Sequence, residues 1–305
     1  MDSISDRGDL AILGAAALLL GGGRLFGAQR IDSVVRGVQI GAQSYSFRDR
    51  DLPAAIKAYQ VVGLGECELW QGHVEPKGLS REQLRKWRLT TPLSHFRQIR
   101  KQFDNAGVLL YAYNYSFEKS FTDAEIDRGF QMTRAMGLKY ITASSPVSIA
   151  PRIDPFAQKY KITVGFHNHD QTWNPDAFST PATFARALKG ASKYLAINLD
   201  IGHFVAANCD PVSFIRQHHN RIVTLHLKDR KRNHGPNMPF GQGDTPIVAV
   251  LRLLRENRWK IPANIEYEYG PKPGLDTVAE LKKCYAYCRE ALLTNPPNGP
   301  APVKV

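Results

Sequence analysis

Gly165-Phe166-His167-Asn168-His169-Asp170, preceded by Ile162-Thr163-Val164, is the stretch on which the reading of this chain turns. Three β-branched residues running into an aromatic read as a buried strand. Residues two apart on a strand point to the same face, so His167 and His169 project together from its carboxyl end. A histidine pair alone is often only a hydrogen-bonded loop end. Three later apolar runs, however, also end in ligand-type residues: Asn198-Leu199-Asp200-Ile201-Gly202-His203, Leu225-His226-Leu227-Lys228-Asp229 and Ile265-Glu266-Tyr267-Glu268. Four strand ends carrying His, Asp, His and Glu point to a site that binds a metal and acts on a small molecule.

Working outward, short apolar runs alternate with helical patterns from Val38 onward. The expected strands are Val38–Gln43, Glu66–Trp70, Val108–Tyr113, Tyr140–Ala143, Ile162–His167, Leu195–Asp200, Ile222–Leu227 and Ala263–Glu266. Between and after them lie amphipathic segments at Pro53–Val62, Pro92–Ala106, Asp123–Met136, Asp154–Tyr160, Pro181–Leu188, Pro211–Gln217, Pro246–Glu256 and Leu275–Leu293. Eight strands, each followed by a helix, is the count for an α/β fold of the (β/α)8 TIM-barrel type, here a single domain over residues 38–293. The rival, a doubly wound open sheet, lacks support because no Gly-x-Gly-x-x-Gly follows any strand. Barrel enzymes place their chemistry at the carboxyl ends of the strands, where all four clusters fall.

The 305 residues are 43% hydrophobic and 22% charged, an ordinary globular composition with ample material for a core. Forty Lys plus Arg against 28 Asp plus Glu give a net charge of +12. The basic residues are scattered, as at Arg97, Arg100 and Lys101 or Lys228 and Arg230 to Arg232, with few interleaved aromatics. A solvated basic surface is therefore favoured over a nucleic-acid partner. The cysteines at 67, 209, 284 and 288 lack zinc-site spacing; Cys67 reads as core, and Cys284 and Cys288 as small hydrophobes on one helix face. Leu10 to Gly23 is an apolar run too short to span a bilayer comfortably, but suited to a signal-peptide core. Residues 1–28 are thus expected to form a signal-like targeting segment, with Phe26-Gly27-Ala28 as a cleavage site, and the protein to be exported or periplasmic. The alternative is an uncleaved N-terminal helix in a cytoplasmic protein, because Asp2, Asp6 and Asp9 outnumber Arg7. The proline-rich residues 294–305 are expected to form a disordered tail.

An acid that closes an apolar strand must be paired, hydrogen-bonded or metal-bound. For Asp200 a metal role is favoured over a helix cap, since Gly202 and His203 follow before any helical pattern begins. His226 alternates to the barrel interior opposite the other clusters and is read as a ligand rather than a core histidine. Glu266 and Glu268 share one side of the last strand; Glu266, the deeper, is the expected ligand and Glu268 a substrate contact. His203 is placed to touch substrate. Lys228 either pairs with Asp229 or donates to a substrate oxygen. Glu68 either forms a salt bridge inside the barrel mouth or contacts substrate, and Trp70 is expected to line the pocket. His73, Tyr113, Tyr115 and Phe117 are further candidates for its wall.

These motifs, with Phe240-Gly241-Gln242-Gly243-Asp244-Thr245, resemble the xylose isomerase-like sugar phosphate isomerase/epimerase superfamily across about Val38 to Leu293. The resemblance implies that Asp200, His226 and Glu266 are metal ligands, that His203 contacts substrate, and that Gly241 to Asp244 shape the mouth. Ketose epimerases of that superfamily carry a glutamate, both ligand and acid/base, where this chain has His167. Imidazole can ligate in its place while altering the charge and proton chemistry of the site. A set of His167, Asp200, His226 and Glu266 suits Mn2+, Zn2+, Co2+ or Fe2+ better than Ca2+.

The expected activity is metal-dependent isomerisation or epimerisation of a small carbohydrate by proton abstraction α to a carbonyl. Glu266 serves as base, with His169 or Lys228 as the complementary acid. The alternatives are a metal-dependent lyase or dehydratase acting on a keto-sugar or keto-glycoside, and a non-catalytic sugar-binding barrel. An endonuclease IV-like repair enzyme needs extra histidines on early strands, where this chain has Ser44-Tyr45 and Tyr113-Asn114-Tyr115. No stable membrane span is expected, and a homo-oligomer is compatible with the sequence.

Overall fold

In every expected strand, alternate residues are apolar, and the chain uses that alternation to cover the outside of a cylinder. The computed structural model describes residues 29–270 and 276–294, so the signal-like segment 1–28 and residues 295–305 of the tail lie outside the described residues. Eight parallel strands form the wall: β1 (Val38–Gln43), β2 (Glu66–Trp70), β3 (Leu109–Asn114), β4 (Tyr140–Ala143), β5 (Thr163–His167), β6 (Leu195–Asp200), β7 (Ile222–Leu227) and β8 (Ala263–Ile265). Each pairs with the next, and β8 closes on β1 through Ala263↔Ile40 and Ile265↔Ala42. The fold is a closed (β/α)8 TIM barrel. Two bulges, between Cys67 and Glu68 against β3 and between Ile197 and Asn198 against β7, shift the register and re-aim the residues that follow.

Ten helices surround the barrel among the described residues: α1 (Leu52–Val62), α2 (Arg81–Thr90), α3 (Leu93–Ala106), α4 (Asp123–Ala135), α5 (Ala150–Tyr160), α6 (Pro181–Leu188), α7 (Ile201–Ala206), α8 (Pro211–His218), α9 (Ile247–Asn257) and α10 (Thr277–Leu293). Their starts carry recognisable caps. Asp51 accepts from Ala54 N at α1, and Thr122 and Glu125 form a capping box at α4. No helix among the described residues is long and apolar enough to cross a membrane.

Two helices, α2 and α7, were not expected. α2 has a Ser80/Gln83 capping box but buries only Arg88, so hydrophobic periodicity cannot reveal it. α7 is six residues long and begins on Asp200, whose Oδ1 accepts the His203 N–H. The cap that ranked second for Asp200 in the sequence is therefore real.

The main apolar core lies between the outer face of the barrel and the helices, with Phe166 stacked on Phe178 at 4.7 Å and Phe130 on Tyr160 at 5.6 Å. The inner face is different. Glu66, Glu68, Thr142, Asn198, Thr224, His226 and Asn264 are all buried and hydrogen-bond across the bore. Gly41 makes room for this column, because a Cβ there would stand 2.2 Å from both Asn264 Oδ1 and Glu66 Oε2.

Candidate functional site

Strand ends β5, β6 and β7, with the residue after β8, bring His167, Asp200, His226 and Glu266 together. Donor atoms of all four lie within 4.8 Å of one another, and all four residues are buried. β5 and β6 are splinted at this level by Asn168: its Nδ2 donates to Asp200 O (3.0 Å), and its Oδ1 accepts from Asp200 N (2.9 Å). Glu266 lies just past the last strand, yet its N–H still donates to Leu227 O at 3.0 Å, extending the ladder to the site.

His226 has an acid at each ring nitrogen. Nδ1 is 3.2 Å from Glu266 Oε2, and Nε2 is 2.9 Å from Glu68 Oε2. Burial pushes this imidazole down, but the two carboxylates outweigh burial and raise it well above the ordinary histidine range. Glu68 in turn accepts from Thr142 Oγ1 (2.6 Å) and Gln43 Nε2 (3.2 Å). Of the two readings of Glu68, the buried ion pair is the one observed. It sits beneath His226 and is not among the residues that line the cavity.

The Lys228 ammonium is caged by three carboxylates: Asp200 Oδ2 at 3.0 Å, Glu266 Oε2 at 2.8 Å and Glu268 Oε2 at 2.6 Å. Burial opposes its charge, but the cage more than restores it and raises the amine above the usual lysine range. For Glu266, burial pushes upward, while Lys228 and His226 prevail and hold it well below the usual carboxylate range. Asp200 is pushed up by burial, against the pull of Lys228.

Lys228 does not pair with Asp229, which points away from the bore and accepts from the backbone N–H groups of Gly241 (2.8 Å), Gly243 (2.9 Å) and Thr245 (3.2 Å). Successive residues at a strand end face opposite sides, which is why the pair cannot form.

His203 Nδ1 accepts from Arg230 Nη1 at 2.6 Å, and Asp170 holds Arg230 at 2.9 Å. His203 Nε2 is 3.0 Å from Lys228 Nζ and 4.0 Å from Glu268 Oε2. His169 is lowered by burial and by Lys228. His167 is lowered by burial and by the neighbouring His226, and its Nδ1 has no hydrogen-bond partner.

A cavity of about 320 Å3 opens above this cluster, lined by His167, His169, His203, His226, Lys228, Glu266 and Glu268, with Trp70 and Tyr45 on the opposite side. Trp70 packs edge-on against Tyr45 at 4.9 Å. Several expected wall residues do not reach the cavity. Tyr113, Tyr115 and Phe117 are wholly buried, Tyr115 lying between Phe117 and Phe121. His73 sits behind Trp70, 2.9 Å from Ser44 Oγ. Their aromatic character was visible in sequence, but not which face of β3 or which layer would hold them. Gln43, Thr142, Asn198, Asn168 and Arg230 were not anticipated, although alternation along their strands could have shown that the first three face inward.

The donor set can be tested against a divalent cation. It offers two imidazoles and two carboxylates, an acid on the far nitrogen of one imidazole, and an orphaned nitrogen on the other. Such a set fits a transition-series cation. His167, His169 and His203 form a second, overlapping group. It brings no carboxylate of its own, and His203 Nδ1 is already engaged by Arg230.

The chain is thus a closed parallel (β/α)8 barrel whose strand ends carry a metal-capable cluster. Residues 148–287 match the family model described as xylose isomerase-like TIM barrel. Three solved structures share the fold. A sugar phosphate isomerase/epimerase from Parabacteroides distasonis is 17% identical, with 88% of this chain and 99% of that one covered at a TM-score of 0.61. The "probable 3-DHS dehydratase AsbF involved in the petrobactin synthesis" from Bacillus anthracis is 13% identical, covering 85% and 100% at 0.62. An IolI protein with a bound zinc atom is 13% identical, covering 84% and 98% at 0.63. No curated protein matches the chain by sequence.

Proposed function

We propose that this protein is a divalent-metal-dependent enzyme that removes a proton α to the carbonyl of a small carbohydrate. The observation that carries the reading is the buried convergence of His167, Asp200, His226 and Glu266 at four strand ends beneath a polar cavity. A bound cation would polarise the substrate carbonyl and stabilise the charge developing on its oxygen. Lys228 adds a fixed positive charge on the same wall and can donate to that oxygen. Glu266, on the cavity wall, is assigned the base, with His169 across the cavity returning the proton. His203 and Glu268 orient hydroxyl groups, and Trp70 offers an aromatic face to a sugar ring.

The test is solvent-deuterium exchange. Mn2+-loaded protein, incubated in deuterated water with a panel of ketoses, should place deuterium on the carbon next to the carbonyl. Glu266→Gln should abolish that exchange while retaining most of the metal, and exchange that survives the substitution would remove the base assignment.

A second reading keeps the first step and changes the outcome: the carbanion expels a group β to the carbonyl, giving a lyase or dehydratase. It is favoured by an additional cavity that adjoins the first along Ser144, His167 and His169 and offers space for a leaving group. Product analysis with keto-glycosides and free ketoses separates the two. Export, read from Leu10 to Gly23, is proposed alongside and is tested by N-terminal sequencing of protein recovered from outside the cytoplasm.

A further inference from the structure

The cavity above the four donors does not end at its histidines. A second cavity of about 400 Å3 adjoins it and shares Ser144, His167 and His169 as a common wall. Its floor is apolar, formed by Phe178, Ala177 and Pro146, and its rim carries Gln171 and Asn174. Asn174 accepts with Oδ1 from Asp176 N at 3.0 Å, a bond that leaves its NH2 group for another partner. An apolar floor with a few neutral amides at the rim is the composition of a pocket for an uncharged polar ring.

The charges in both cavities narrow the ligand. Lys228 is the cationic side chain lining the first, and three carboxylates surround it. Lys119 is the one lining the second, and it is ion-paired with Asp176, which is itself pinned by Ser148 N (2.8 Å) and Ser148 Oγ (2.9 Å). Arg230, close by, is held by Asp170. Among the described lining residues, then, each cation already faces an acid. A phosphate group needs donors whose charge is not already compensated, and neither cavity supplies them.

We propose that the second cavity is a subsite for a second, uncharged unit of the substrate. The molecule taken up is an unphosphorylated disaccharide or glycoside whose first ring enters the four-donor cavity. The inference rests on the carbohydrate reading of that cavity and specifies its substrate class.

Calorimetric titration of Mn2+-loaded protein with glucose, glucose 6-phosphate, cellobiose, gentiobiose, maltose and trehalose tests it. At least one disaccharide should bind about tenfold more tightly than glucose, with glucose 6-phosphate no tighter than glucose. Asn174→Trp, which fills the second cavity from its exposed rim, should collapse that margin to about twofold or less. Gln171→Trp repeats the test from a second rim position, and circular dichroism verifies that each variant is folded. Protein that takes up Mn2+ and glucose but prefers no disaccharide loses the subsite and keeps the proposed function. The subsite is also lost if glucose 6-phosphate binds tightest, or if the margin survives in both variants. Protein that takes up no divalent cation loses both.

Discussion

Glu68 Oε2 lies 2.9 Å from His226 Nε2, on the ring edge opposite the one that meets Glu266. The contact is wholly buried and braced from behind by Thr142 and Gln43. It fixes the ring's orientation and places a proton on Nε2, which leaves Nδ1 as the nitrogen available to a cation. Loss of such a support behind a metal-binding histidine costs about 10–100-fold in metal affinity. Glu68→Gln should therefore weaken Mn2+ binding by that order in calorimetry while the circular dichroism spectrum stays native. Wild-type affinity in the variant would show that the pair is structural alone.

Lys228 balances the charge of Asp200, Glu266 and Glu268. Removing one partner of a buried ion pair costs about 3–5 kcal/mol, because the remaining charges lose their compensation. Lys228→Met should lower the melting temperature in chelator. Mn2+ should then recover much of the loss, since a ligand at 100 times its Kd contributes about 2.7 kcal/mol. The decisive comparison is the metal-induced shift in melting temperature, which must be larger in the variant than in the wild type.

Burial in the bore, reinforced by Glu68 nearby, raises Glu66 from 4.5 to about 8. A proton on its orphaned Oε2 would also give the orphaned Asn264 Oδ1, packed beside it over Gly41, a donor. Between pH 4.5 and 8 the unfolded chain ionises this group while the folded chain keeps its proton. Stability is therefore fully present below the unfolded value and falls as pH rises through the folded one, by about 1.4 kcal/mol per pH unit from this residue. Urea unfolding at several pH values should show Glu66→Gln gaining on the wild type from pH 5 to pH 8. Parallel curves would mean that Glu66 is ionised in the folded protein.

Asp229 ties down the Phe240–Thr245 segment through three backbone N–H groups. Hydrogen bonds to a charged group are worth about 1.5–3 kcal/mol each. Asp229→Ala should speed amide exchange at Gly241, Gly243 and Thr245 selectively. Gly243→Ala should do the same, because a Cβ there would stand 1.9 Å from Asp229 Oδ1. Unchanged exchange in both variants would count against the tie.

Apolar alternation places β1, β2, β4, β6 and β7 at the residues where they occur, because each packs an unbroken apolar face against helices. The same signal cannot reveal α2, whose buried anchor is Arg88 clamped by Glu75 at 2.7 and 2.9 Å. Alternation also sends Glu68 inward, but strand stagger decides its depth, and stagger is set by the bulge beside it. For Lys228, the residue type announced a charge, while its partners come from two other strand ends, those of β6 and β8, that only closure of the barrel brings together.

The polar column inside the bore also bears on how the chain finds its pairing. If any strand slipped by one residue, its inward carboxylates, amides and hydroxyls would move to the apolar helix-facing side, and its leucines and valines would enter the bore. Glu68, Asn198 and Thr224 each bond a side chain from the adjacent strand, and Asn264 also reaches Glu66 across β1. The column thus acts as a key to strand alignment, since a misregistered barrel would forfeit these bonds and bury their polar atoms unpaired.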